Sequence, residues 1–309
     1  MKSKILLMLV LLAFIAAGIP ACSLLKKRSE KKERTEYKIT GKNKTGISIE
    51  NTNGEIKVSK SDDTLGVITI NAEKIARVRK DDIDKPIENL NVNIDTSGST
   101  VKVTTEYQKV YEGWFNHDNN AKVNYDVRVP ANMKVDVDNT NGAITLSSLA
   151  GDIKVETTNG STTMNKCSGY ISVDGVNGSI SGNFDSTKGI SIGVVNGAVK
   201  LGGMKNISAE VSASTTNGKV KFNNLSFSNM NVEKRSLSGT LGSGKNIIKV
   251  TSVNGSITFD AGDVVLSKDK NEDFNFKIDF GDDDNDRPKK KENAKQVDTP
   301  KAPEAPKTK

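Results

Sequence analysis

The sequence predicts an all-β, single-domain β-solenoid, a β-helix-like stack of ~18–21-residue coils with an irregular β cap at its N-terminal side. Three observations predict it. Asn-Gly steps recur at Asn141-Gly142, Asn159-Gly160, Asn177-Gly178, Asn196-Gly197, Asn217-Gly218 and Asn254-Gly255, at intervals of 18, 18, 19, 21 and 37 residues. A short apolar–polar alternation follows each step, as in Ala143-Ile144-Thr145-Leu146, and a second strand-like run lies half a repeat later. Ile144, Ile153, Thr162, Ile171 and Ile180 therefore stand nine residues apart, with Ile190 at ten. The chain is also poor in aromatic residues (5%) and rich in Gly and small polar residues, which suits a thin interior of Ile and Val.

Alternation of period two puts one face inward and one outward, the mark of a strand. Asn-Gly between strands ordinarily signals a hairpin. A meander of hairpins has no reason to repeat one turn every eighteen residues with a different turn between, whereas a coil of short strands repeated along an axis explains both spacings. Asn and Gly tolerate positive φ and suit a sharp corner. Coils stacked ~4.8 Å apart would set the corner amides over one another, so an internal ladder of Asn141, Asn159, Asn177, Asn196, Asn217 and Asn254 is expected. The 37-residue interval is read as two coils, with Ser238-Gly239 standing where a step is missing.

In chain order, residues 1–21 read as a lipoprotein signal peptide: Lys2 and Lys4, an apolar run from Ile5, then Ile19-Pro20-Ala21 before Cys22. This resembles a bacterial lipobox, with Pro20 a departure from its pattern. The resemblance implies that Cys22 is acylated (diacylglyceryl, palmitate) and that the membrane is a partner through this anchor, with Ser23 favouring the outer membrane. Residues 22–38 are expected to be a basic linker, carrying Lys26, Lys27, Arg28, Lys31, Lys32, Arg34 and Lys38 against Glu30, Glu33 and Glu36. Such a segment attracts anionic head groups. With charge otherwise dispersed at a formal +7, nucleic acid is not an expected partner. If Cys22 is lipidated, Cys167 has no partner for a disulfide and reads as a buried inert thiol.

Residues 39–138 form the N-terminal β region and cap. Asn51-Thr52-Asn53-Gly54 between two alternating runs looks like a coil out of phase with the rest, followed by longer strands at 67–70, 90–94, 100–105 and 123–129. An uncovered solenoid end exposes strand edges, so a cap is required. Tyr107, Tyr111, Trp114 and Phe115 gather around His117, the one His of the chain. Their bland reading is packing over the solenoid mouth; the functional one is a ligand platform.

Asn124-Tyr125-Asp126-Val127-Arg128-Val129-Pro130, then Val135–Ile144 and the Asn-Gly coils, resemble the bacterial DUF4097 family over about residues 40–262. The resemblance implies a β-solenoid and an adhesin-like role. It brings no catalytic or metal residues.

The Asn-Gly repeats span 139–262, residues 263–280 read as closing strands, and 281–309, rich in Asp, Lys and Pro, as a disordered tail. Asp282, Asp284 and Asp286 alternate as in a calcium loop, but Arg287 and Asn293 stand where an EF-hand needs Gly and Glu. One His and two Cys supply neither a zinc site nor a Ser-His-Asp centre. No cofactor, metal or enzymatic activity is expected. The reading is a lipid-anchored envelope protein, an adhesin-like binding or structural module whose partner is an extracellular or periplasmic protein or a glycan. The rivals are a periplasmic scaffold or envelope-sensing protein, and a carbohydrate-active β-helix enzyme using the 107–125 region. Fold does not choose among them.

Overall fold

Buried and more accessible side chains alternate along many of the strands, as in Ala209–Thr215, and the protein is all-β with repeated strand pairs. The computed structural model describes residues 28–62, 66–79, 85–107 and 121–266. Before the repeats come β1 (Arg28–Thr40), β2 (Gly46–Asn53), β3 (Ile56–Lys60), β4 (Val67–Arg79), β5 (Leu90–Asp95), β6 (Thr100–Tyr107) and β7 (Ala121–Val129), with a short helix at Lys85–Glu88. Each repeat then supplies a longer and a shorter strand. These are β8 (Lys134–Asn141) and β9 (Ile144–Ser147), β10 (Ile153–Asn159) and β11 (Thr162–Asn165), β12 (Tyr170–Asn177) and β13 (Ile180–Asn183), β14 (Gly189–Asn196) and β15 (Val199–Gly202). β16 (Ala209–Thr215), β17 (Val220–Asn223), β18 (Ser228–Val232), β19 (Ser236–Leu241), β20 (Asn246–Asn254) and β21 (Ile257–Asp260) complete the chain.

The longer repeat strands build an eleven-stranded sheet, ordered β18-β19-β16-β20-β14-β12-β10-β8-β2-β6-β5. The shorter ones lie in a ten-stranded sheet, ordered β1-β4-β7-β3-β9-β11-β13-β15-β21-β17. Successive repeats pair in parallel and in register: Ile153 faces Val135 on one side and Ile171 on the other, and Thr162 faces Ile144 and Ile180. The nine-residue series Ile144, Ile153, Thr162, Ile171, Ile180 and Ile190 is buried throughout. The apolar members of both sheets share one core, in which Phe184 and Phe259 are among the few large rings. Burying an aliphatic side chain of this size stabilises by ~1.5–3 kcal/mol, and each repeat contributes several.

Four expectations need correction. The stretch read as a basic linker contains β1, which pairs with β4 from Arg28↔Arg79 to Thr40↔Val67. β1 closes an edge of its sheet, where charged alternation is tolerated because one side of the strand meets water. Its anchor is Arg34, whose Nε and Nη2 lie 2.8 Å from Oε1 of the buried Glu73. Next, the unit around Asn53-Gly54 is in phase: β2 pairs with β8, and Asn53 faces Asn141. The stack therefore extends backwards through β2–β3, and β6 and β7 flank it, while β5, β4 and β1 add antiparallel strands.

Third, Ser238-Gly239 is not a missing step. It lies in β19, antiparallel to β16 and β18. The 37-residue interval arises because the unit β20–β21 inserts between two earlier ones. β20 pairs with β14 and β16, and β21 with β15 and β17. Last, Val264–Leu266 is not a strand. Its backbone is held by one side chain: Asn183 donates to the Val264 carbonyl at 3.0 Å and accepts from its N–H at 2.8 Å. The remaining closing strand, Phe274–Phe280, and the tail lie outside the described residues.

Candidate functional site

The Asn-Gly corners set one border of the long sheet. Gly142 and Gly178 adopt φ of 137° and 156°. Space matters as much as φ, because a Cβ on Gly142 would lie 2.0 Å from the Gly54 carbonyl oxygen, and one on Gly160 1.9 Å from that of Gly142. Beside these glycines the Asn side chains form a one-way chain of amide hydrogen bonds. Asn141 donates to Asn53 (2.8 Å), Asn159 to Asn141 (3.0 Å), Asn177 to Asn159 (2.9 Å) and Asn196 to Asn177 (2.8 Å). Asn254 donates to Asn196 (2.7 Å) and Asn217 to Asn254 (2.9 Å), in spatial rather than sequence order.

This ladder lies on the surface, not inside as expected. From Asn159 on, its members are exposed. The interior of the corner belongs to residues two positions earlier. Asn139 is fully buried and donates to the carbonyls of Gly54 (3.0 Å) and Gly142 (3.1 Å), and the buried Asn51 donates to that of Val123 (3.1 Å). Thr215 closes the last corner by donating to the Gly255 carbonyl at 2.8 Å. Next to the ladder, Val176, Val195 and Val253 form an exposed row, each about 40% accessible.

Across the same sheet, at the beginnings of β2, β8, β10, β12, β14 and β20, lies an open groove of about 870 Å³. Its floor is the outward face of strands whose edges are already paired. Two large apolar side chains stand exposed in it: Tyr170, 59% accessible, and Ile247, 67% accessible. Register places Gly189 between them. A Cβ at Gly189 would meet Cδ1 and Cε1 of Tyr170 at 3.1 and 3.3 Å, so the phenol ring lies over this glycine.

Lys134, Lys188, Lys245 and Lys249 line the groove, and among the described residues none of the four forms an ion pair. Lys154 is instead bonded to Glu156 at 2.6 Å, and that hydrogen bond raises its pKa above the ordinary lysine value. Asp136, Asp152, Thr100, Asn246 and three serines complete the polar lining. The sequence reading missed this site. Tyr170 opens the alternating run Tyr170-Ile171-Ser172-Val173, but its proximity to Ile247 rests on the insertion of β20, which no local pattern announces.

Of the residues expected to form an aromatic platform, Tyr107 is half-buried at the end of β6, where burial raises its phenol pKa. Tyr111, Trp114, Phe115 and His117 lie outside the described residues, as does Cys22. Tyr107 lies near Tyr125, whose buried hydroxyl is 2.7 Å from Oγ1 of Thr105. Cys167 is fully buried, its thiol pushed up to about 11 by desolvation. Among the described residues no group of three or more His, Cys, Asp or Glu side chains could hold a metal ion.

Comparison with known proteins gives a match to the family model described as Toastrack DUF4097, over residues 15–260. No curated protein matches. Among solved structures, this chain is similar to a "putative cell adhesion protein" from Clostridium sporogenes, 14% identical, covering 74% of this chain and 99% of that one, with a TM-score of 0.37. A "putative adhesin" from Bacteroides fragilis is 15% identical over 74% of this chain and 97% of its own, with a TM-score of 0.29. A "putative lipid binding protein" from Parabacteroides distasonis is 10% identical over 75% and 95%, with a TM-score of 0.24.

Proposed function

The chain belongs to the Toastrack DUF4097 family, and from that premise we propose that it is a lipid-anchored bacterial envelope protein whose β-solenoid presents a rigid binding face and carries no catalytic activity. The observation that carries this reading is the in-register parallel stacking of β2, β8, β10, β12, β14, β20 and β16. Stacking of this kind multiplies one strand's outward side chains into rows, and a face built from rows is stiff and long relative to its mass. The solenoid itself is supported by the way each repeat gives one strand to each sheet around a shared core. The exposed Asn and Val rows, the groove lysines and Tyr170 provide contact area for a partner at the cell envelope.

Anchoring is supported by the sequence alone: Lys2, Lys4, the apolar run and Cys22 fit a lipidated N-terminus. The test has two parts. Metabolic labelling with an alkyne analogue of palmitate is expected to tag the full chain and not Cys22→Ser. Protease added to intact cells is expected to remove the protein from the surface. Complete protection of a labelled chain would instead favour an inward-facing scaffold, and absence of label would sink the anchor.

A further inference from the structure

We propose that the groove crossed by Tyr170, Gly189 and Ile247 binds a linear acidic polysaccharide, with one sugar ring stacked on Tyr170 and the acid groups of neighbouring sugars held by Lys134, Lys188, Lys245 and Lys249. The inference rests on reading the chain as a binding module and names the ligand class of its face.

The shape argues for a chain lying across the strands. From β2 to β20 the groove spans five strand spacings, about 24 Å at ~4.8 Å each, and it is open along its length. A pyranose residue is about as long as one strand spacing, so successive sugars can meet successive strands. The ring geometry argues for a sugar. Tyr170 is 59% accessible although it starts a strand in the middle of a sheet, and its ring rests over Gly189, a groove position without a side chain. The axial C–H groups of a pyranose pack on the electron-rich face of such a ring. Gly189 does not have positive φ, so its backbone does not demand glycine; what it provides is room for the phenol.

The charges argue for an acid. Four lysines in the groove have no ion-pair partner among the described residues, whereas Lys154 is already neutralised by Glu156. Against them stand Asp136 and Asp152. One exposed ring gives no run of stacking sites for the bases of a nucleic acid. A chain of sugar acids satisfies both signs: its carboxylates meet the lysines, and the aspartates with Ser48, Ser172 and Ser191 bond its hydroxyls. A peptide adding as a strand is disfavoured, because the floor is a sheet face whose backbone groups are already paired.

The test uses the purified full-length chain and three probes: polygalacturonate, neutral dextran and phosphatidylglycerol vesicles. Polygalacturonate is expected to bind, and binding should weaken as salt rises. Tyr170→Ala and Gly189→Val should each weaken it at least tenfold, Tyr170→Phe should retain it, and Lys188→Glu with Lys245→Glu should abolish it. Unchanged thermal midpoints for Tyr170→Ala and Tyr170→Phe show that the fold is intact. Dextran and vesicles should not bind. No polygalacturonate binding, unchanged affinity in Tyr170→Ala, or equal binding of dextran or vesicles would each overturn the proposal. Cells that are retained on a target surface equally by wild type and Tyr170→Ala would refute the groove and leave the envelope reading standing. A protein that binds polygalacturonate in solution but takes no palmitate label in cells would do the reverse.

Discussion

The side-chain amide of Asn254 donates to Oδ1 of Asn196 at 2.7 Å, joining residues 58 positions apart as directly as Asn177 joins Asn159 eighteen apart. The ladder does not register that, between these two rungs, the chain built the unit β16–β17, which stacks beyond β20–β21, and the antiparallel strands β18 and β19. Its continuity depends on stacking geometry alone, and that makes its contribution measurable one rung at a time.

Asn177→Ala removes one bond given and one received, to Asn159 and from Asn196. The site is exposed, so water replaces both partners, and the expected loss is small, ~0.5–1.5 kcal/mol. Chemical denaturation should show this with an unchanged denaturant slope. Asn177→Asp should cost more than Ala, because it sets a charged carboxylate oxygen against Oδ1 of Asn159, an acceptor facing an acceptor.

Asn139→Ala should cost more than any rung of the outer ladder. This side chain is fully buried and donates to the carbonyls of both Gly54 and Gly142, which then lose their partner where water is excluded. A loss of ~1–3 kcal/mol is expected. If Asn139→Ala and Asn177→Ala prove equally costly, the inner and outer rows do not divide the work as described.

Gly160→Ala should be among the most damaging changes in the protein. The added Cβ would lie 1.9 Å from the Gly142 carbonyl oxygen, a backbone atom that cannot rotate away. The expected cost exceeds ~3 kcal/mol, seen as loss of soluble expression or a steep fall in thermal midpoint. Gly189→Ala is the control: it crowds only the movable Tyr170 ring and should leave stability within ~0.5 kcal/mol.

Glu73→Ala tests whether β1 is held by its charged pair. Glu73 is 2% exposed, and Arg34 reaches it with two nitrogens at 2.8 Å. Loss of a charge-assisted bond of this kind should cost ~1.5–3 kcal/mol. Limited proteolysis should then cut within residues 28–40 before the repeats are attacked.

Cys167 gives a pH dependence with a fixed sign. In the fold its thiol keeps its proton up to about 11, against an ordinary thiol value of 9.0, because burial disfavours the thiolate. Above pH 9 the unfolded chain loses this proton and the native one does not, so stability should fall from about pH 9 to 11, by ~2–3 kcal/mol for this group. Cys167→Ala should flatten that part of the profile, and thiol reagents should react with the native protein only on unfolding.

How much was legible in the sequence divides along a physical line. Alternation, the nine-residue spacing of Ile144 through Ile180 and the Asn-Gly steps are local or periodic, and they sufficed for strands, for the inward residues and for the run of corners from Asn141 to Asn196. The family resemblance rests on those same features. Charge misled at β1, because the sequence shows Arg34 as one of many cations and cannot show that Glu73 waits across the sheet edge.

What only the tertiary structure decided is the order in which units stack and which side of a corner each Asn occupies. Every unit carries the same corner chemistry, so the sequence cannot say that Asn254 belongs between Asn196 and Asn217, or that Asn53 precedes Asn141. Alternation holds through Val135, Val137 and Asn139 and breaks just after, so it would also turn Asn141 and its counterparts inward, where they instead lie at the surface. The groove inherits both ambiguities: Tyr170, Gly189 and Ile247 become neighbours only because β20 settles beside β14, a choice made by complementary faces competing for one core.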